Sequence, residues 1–122
     1  SILCVLFMCR LFGFSDTLTV SLFPKSVTTA IAIPISESHG GVSAITVISL
    51  MFTGMLGAMF SPVLIKLFRI KNPVAAGTAI GTSSHALGTT KALELGDVEG
   101  AMSGIAIGMA GLITTVYSIF ML

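Results

Sequence analysis

Residues 42–60 read VSAITVISLMFTGMLGAMF, and from Gly40 to Ile65 the chain carries no formal charge. About 20 consecutive apolar residues are needed to cross the hydrocarbon core of a bilayer as a helix, so this stretch predicts a membrane span near 42–62. A second uncharged run, GAMSGIAIGMAGLITTVYSIFML at 100–122, predicts another span near 100–121, with Tyr117 placed where an aromatic ring sits at the interface. The opening run, 1–14, is apolar but short and contains Arg10, and it reads as a partial span.

Composition agrees with the spans. Of 122 residues, 54% are hydrophobic and only 9% charged, with a mean hydropathy of +1.05, where a soluble domain carries about 25% charged residues. The predicted class is an all-α integral membrane protein, a polytopic helical bundle forming one membrane domain over residues 1–122 of a longer protein. A net charge of +1 offers no basic field for nucleic acid. Cys4 and Cys9 share one apolar segment, lack metal-ligand spacing to any His or Cys, and read as small hydrophobes.

Two stretches fit neither a loop nor a lipid-facing helix. Residues 25–36, KSVTTAIAIPIS, and 72–90, NPVAAGTAIGTSSHALGTT, are crowded with Ser, Thr, Gly and Pro. Irregular backbone at membrane depth survives only when wrapped in protein or lining a wet cavity. Both are therefore expected inside the bundle as discontinuous segments, either crossing marginally or re-entering. Each is followed by a polar patch, SESHGG at 36–41 and ELGDVEG at 94–100, and then by a strong apolar helix. This echo resembles the internal repeats of transporters, whose binding sites lie at the repeat interface.

Lys66, Arg69 and Lys71 form the densest basic cluster, just past a span, which predicts a cytoplasmic loop. Small residues recur every four positions at Gly100, Gly104 and Gly108, at Thr53, Gly57 and Ser61, and at Gly77 and Gly81. Such faces let backbones approach closely, within the chain or in self-association to a homo-oligomer.

Pro24-Lys25-Ser26-Val27-Thr28-Thr29 predicts a helix start with proline in the first turn, where free N–H groups, the macrodipole and Lys25 would attract a carboxylate or phosphate. Thr82, Ser83, Ser84 and His85, with Thr89 beyond, form a second polar cluster. The pair is expected to face one another across a small cavity. The competing explanation is that hydroxyls in membrane helices simply bond carbonyls of their own helix. His39 and the acids Glu94, Asp97 and Glu99 read as hydrated surface. No nucleophile elbow, zinc motif or phosphate-binding loop is present, so neither catalysis nor a metal or cofactor is expected.

The stretch LFPKSVTTAIA at 22–32 resembles the signature of the LrgB/CidB family. The resemblance continues through Gly40-Gly41, Thr53-Gly54 and Gly57, through GTSSHALGT at 81–89 with Lys91-Ala92, and ends at Glu99-Gly100-Ala101. Gly54 joins the packing glycines on this ground. The chain departs from the family at Ala30, where a proline usually follows the Thr-Thr pair. The resemblance implies a multi-pass protein of the bacterial inner membrane, or of the chloroplast envelope, about twice this length. Bacterial members are holin-like or antiholin-like proteins that act with a small LrgA/CidA-type partner and influence murein hydrolase activity and lysis. Plant relatives translocate glycolate and glycerate, and some bacterial relatives are linked to pyruvate uptake. A small carboxylate carried across the bilayer is the substrate this implies, with Lys25, Ser26, Thr28, Thr29, Thr82, Ser83, Ser84, His85 and Thr89 around it.

Overall fold

The computed structural model describes residues 2–121. Ser1 and Leu122, the outermost residues of the first and last apolar runs, lie outside the described residues. The described residues form six α-helices and no strand: α1 Ile2–Leu11, α2 Asp16–Leu22, α3 Thr29–Ser38, α4 Ser43–Leu67, α5 Pro73–Leu95 and α6 Asp97–Met121. At 25 residues each, α4 and α6 are long and apolar enough to cross a membrane, each rising about 37 Å.

Burial differs from that of a water-soluble domain: hydroxyls share the interior and many large apolar side chains lie outside. The fully buried positions include Ser21, Ser36, Thr46, Ser84 and Ser103, whereas Phe52, Phe68, Leu112 and Phe120 are exposed. In water such a surface would be an aggregation liability; in lipid it is the solvent-matched face. The chain is a helical membrane protein.

Helix ends follow their sequence signals. Asn72 caps α5 by accepting from Val74 N at 2.9 Å and Ala75 N at 3.4 Å, with Pro73 in the first turn. Gly13 and Gly40 close α1 and α3 with φ of 65° and 80°. They allow Phe14 N to reach Cys9 O at 3.0 Å and Gly41 N to reach Ser36 O at 2.7 Å, the six-to-one bond of a Schellman ending.

Several boundaries differ from expectation. Helix α4 runs to Leu67 through Pro62, past the predicted limit of 62, because Pro62 removes only one bond from an otherwise apolar helix. Helix α2, capped by Ser15 through Leu18 N, had no counterpart in the hydropathy reading. Helix α3 starts at Thr29, and Pro24 sits in the preceding turn, where its carbonyl accepts from Val27 N. Pro24 is therefore not in a helical first turn. Helix α5 extends through Lys91 and Glu94, leaving Gly96 alone between it and α6; the polar patch expected over 94–100 is mostly helical.

The chain forms two compact units, one of residues up to Met51 with those from Gly111 onward, the other Phe52–Ala110. In the first, Val27, Ala32 and Leu50 make an apolar cluster with Ile31 against it.

The second unit is organised by a break in α5. His85 has φ 53° and ψ −144°, outside the helical region. A Cβ at Gly81 would stand 2.8 Å from Ser103 Cα, yet Thr89, eight residues later, bonds Ser103 Oγ at 2.8 Å. A straight helix would hold positions 81 and 89 about 12 Å apart. Likewise Gly77 lies on the Glu99 backbone while Leu93 lies on Gly100, and a Cβ at Gly88 would meet Ile80 Cγ2 at 2.9 Å. The chain therefore reverses at His85, and α5 is a helical hairpin whose two arms run along the first third of α6.

Its tip meets the middle of α4: Gly57 faces Ser84 Cβ at 2.8 Å, and Gly54 faces Leu87 Cδ1 at 3.1 Å. Both arms thus open toward the end of this unit that carries Lys66, Arg69 and Lys71, and Asp97 and Glu99 lie at that same end.

Cysteines introduced at Ile70 and Val98, in a background lacking Cys4 and Cys9, should be labelled by a membrane-impermeant maleimide from one and the same face. Labelling from opposite faces would mean that α5 crosses the bilayer. Gly81→Leu should lower unfolding stability in mixed micelles by about 1–3 kcal/mol through overpacking against the α6 backbone.

Candidate functional site

The hydroxyl-rich residues fall into two clusters, one in each unit. In the first unit, Phe23 and Pro24 are buried in the turn after α2, and Lys25 and Ser26 beside them are half-buried. Thr28 is the N-cap of α3 in extended conformation (φ −72°, ψ 153°), with no side-chain capping bond. Its carbonyl accepts from Ile31 N at 3.0 Å and Ala32 N at 2.9 Å. Thr28 and Thr29 therefore stand at the positive end of a ten-residue helix, in reach of its first amides.

A hydroxyl network missed by sequence reasoning lies in the same unit. Thr46 Oγ1 is 2.9 Å from Ser21 O and 2.8 Å from Ser36 Oγ, and Ser21 Oγ accepts from Val42 N at 2.8 Å while donating to Thr17 O at 2.6 Å. All three side chains are completely buried. The signal was available: Thr46 is a polar residue inside the longest uncharged run, where an unpaired hydroxyl is costly.

In the second unit the predicted residues divide. Thr82 Oγ1 donates to Thr78 O at 2.9 Å and Ser83 Oγ to Ala79 O at 2.8 Å, the local back-bonding of membrane hydroxyls, and both residues are exposed. Ser84 and His85 are buried at the hairpin tip, with Ser83 Oγ and Ser84 Oγ 3.1 Å apart. Thr89 ties the return arm to α6 through Ser103, and its Oγ1 also donates to His85 O at 3.2 Å. The break at His85 keeps polar backbone at mid-depth of α4, which hydrocarbon permits only where protein or water covers it. Ser103, a second residue missed from sequence, is fully buried and shares in this arrangement.

The packing glycines also divide. Gly54, Gly57, Gly77, Gly81 and Gly100 each have a neighbouring element where a Cβ would stand, whereas among the described residues no other segment comes within 4 Å of a Cβ placed at Gly104 or Gly108. Of the two uses open to the α6 glycines, packing within the chain is seen at Gly100, against Leu93, while the face is open at Gly104 and Gly108, both exposed.

Outside these clusters, His39 is exposed, its Nδ1 2.9 Å from both Ser38 Oγ and Ile35 O. Lys91 Nζ pairs with Glu94 at 2.8 Å on the return arm. Among the described residues no group of three His, Cys, Asp or Glu side chains could hold a metal ion.

The position of His85 has a measurable consequence. A positive φ costs a side-chain-bearing residue of order 1–3 kcal/mol, so His85→Gly should unfold at higher denaturant than His85→Ala by about 1 kcal/mol, because only glycine adopts this backbone without strain. Thr89→Val should cost about 1 kcal/mol, and more if Ser103 is left unpaired.

The sequence pattern of the LrgB-like family matches residues 1–122. The chain is 40% identical over 116 residues to the antiholin-like protein LrgB of Bacillus cereus strain B4264, and 40% identical over the same length to that of Bacillus anthracis strain A0248, covering 95% of this chain in each case. It spans about half the length of these curated relatives, 50% of each. No solved structure matches the chain.

Proposed function

The chain belongs to the LrgB-like family, and on that premise we propose that it forms part of an antiholin-like, multi-pass protein of the bacterial inner membrane that works by assembling with a small LrgA/CidA-type membrane partner. The observation that carries this reading is the open glycine face of α6. Gly104 and Gly108 lie one turn apart on a helix long enough to cross the bilayer, and nothing among the described residues packs on them. Glycine lowers helix stability by about 1 kcal/mol relative to alanine, and a close-packed partner helix offsets that cost in lipid. The names of the relatives, antiholin-like proteins, point the same way. In this reading the loop containing Lys66, Arg69 and Lys71 faces the cytoplasm, as the positive-inside rule favours.

Gly104→Leu and Gly108→Leu should each abolish co-purification with the partner and the associated lysis phenotype, while raising the monomer's unfolding stability by up to about 1 kcal/mol, since each new side chain enters open space and removes a helical glycine. Retained partner binding in both variants would refute the assembly face.

A second reading, transport of a small 2-hydroxy or 2-keto carboxylate, is favoured by one feature of the fold: the helical hairpin of α5 with Ser84 and His85 buried at its tip. Broken helices with polar tips at mid-depth are how transporters present hydrogen-bonding groups to solutes. Lys25, Ser26, Thr28 and Thr29, at the start of α3, form a separate locus suited to an anion. In proteoliposomes of the intact protein, exchange of glycolate or pyruvate should fall at least tenfold in Lys25→Ala or Ser84→Ala; unaltered exchange in both removes the site assignment, and no exchange in the unmodified protein leaves the assembly reading alone.

A further inference from the structure

The return arm of α5 and the neighbouring stretch of α4 enclose a groove of about 450 Å³, lined by Met55, Ala58, Met59, Leu87, Thr90, Lys91 and Glu94. Its composition is graded. Met55 and Leu87, level with the hairpin tip, form an apolar floor, and the charges stand toward the end where α5 gives way to α6. From Leu87 to Glu94 the arm rises about 10 Å. Lys91 Nζ lies 2.8 Å and 3.1 Å from the two carboxylate oxygens of Glu94. That pair is open, with side chains 45% and 59% exposed.

We propose that this groove binds one phospholipid of the phosphatidylethanolamine type, its phosphate on Lys91, its ammonium on Glu94 and one acyl chain along Met55, Ala58, Met59 and Leu87. Charge complementarity selects this occupant. A cation and an anion side by side are matched by a headgroup carrying an anion and a hydrogen-bond-donating cation in sequence. A phosphatidylglycerol headgroup meets Lys91 but is repelled by Glu94, and the quaternary ammonium of phosphatidylcholine has no N–H to donate to the carboxylate. An exposed ion pair contributes little by itself, so exchanging it for two headgroup contacts costs little, and charge-assisted hydrogen bonds replace it. A covering protein helix would instead have to bury both charges against an apolar surface.

The depth fits. Lys91 lies six residues, about 9 Å, before Asp97, where α6 begins, and its long side chain reaches along the arm to Glu94, the extended posture that carries a lysine's charge away from hydrocarbon. Methionine side chains at 55 and 59, flexible and polarizable, suit a fluid acyl chain.

The test uses the intact protein purified in detergent with equimolar phosphatidylethanolamine, phosphatidylcholine and phosphatidylglycerol, with retained lipid counted by native mass spectrometry. One phosphatidylethanolamine per chain is expected, preferred at least fivefold over the other two. Glu94→Gln should erase the preference over phosphatidylcholine, and Lys91→Gln should reduce retention of all three. Met59→Trp, which fills the floor, should displace the lipid without altering headgroup preference in what remains. Soluble glycerophosphoethanolamine should not compete, which distinguishes a lipid from a free headgroup. Equal retention of the three lipids, or a preference unchanged in Glu94→Gln and Lys91→Gln, would overturn the proposal, as would photocrosslinking from position 59 to polypeptide instead of lipid. These outcomes are read independently of partner assembly and of solute exchange.

Discussion

Every backbone amide and hydroxyl placed in hydrocarbon must find a partner inside the protein, and this requirement orders the whole chain. Water is absent as an alternative acceptor, so the polar groups of the interior bond one another and large apolar side chains cover much of the exterior. Buried Ser21, Ser36, Thr46, Ser84 and Ser103 and exposed Phe52, Leu112 and Phe120 are two sides of that rule. Among the described residues, no buried side-chain nitrogen or oxygen is left without a hydrogen bond.

The two units satisfy the rule with a shared device. In each, a hydroxyl early in a long membrane helix bonds a hydroxyl on the segment that precedes it: Thr46 with Ser36 in one, Ser103 with Thr89 in the other. Small residues then let the partners come close. Gly41 stands over Ser36 and Ser21, and Gly81 over Ser103. Removing hydrophobic attraction between helices, as lipid does, leaves close backbone contact and such bonds to hold the elements together. The echo of polar segment, turn and apolar helix along the sequence thus has a counterpart in hydrogen bonding.

Much of this was legible from the residues. The long helices announced themselves through uncharged runs, and the abundance of Ser, Thr and Gly at 72–90 marked a segment unlike them, of which one face, Gly77, Gly81, Ser84, His85 and Gly88, is buried while Thr82, Ser83 and Leu87 are exposed. Where the reading stopped, the reasons are physical. The reversal at His85 was invisible because no proline or glycine occupies the turning residue; a histidine adopts the glycine-like φ instead. Helix α2 is only seven residues long, too short for a periodicity to register. Glycines every four residues along α6 showed a face made for contact but not which of them meet another segment: among the described residues Gly100 does, and Gly104 and Gly108 do not. Ser103 was passed over as one more small residue on that helix, although its hydroxyl holds the hairpin arm.

The hairpin sets how much of a membrane voltage a charge near its tip would feel. A membrane voltage falls mainly across the low-dielectric slab, and each elementary charge moved through the full drop exchanges about 2.3 kcal/mol per 100 mV. The tip of α5 is seated against Gly54 and Gly57 near the midpoint of α4, so Ser84 and His85 lie about halfway along a helix long enough to cross the bilayer. A charge brought as far as that tip would exchange about half of that energy, and the full amount only on completing the crossing.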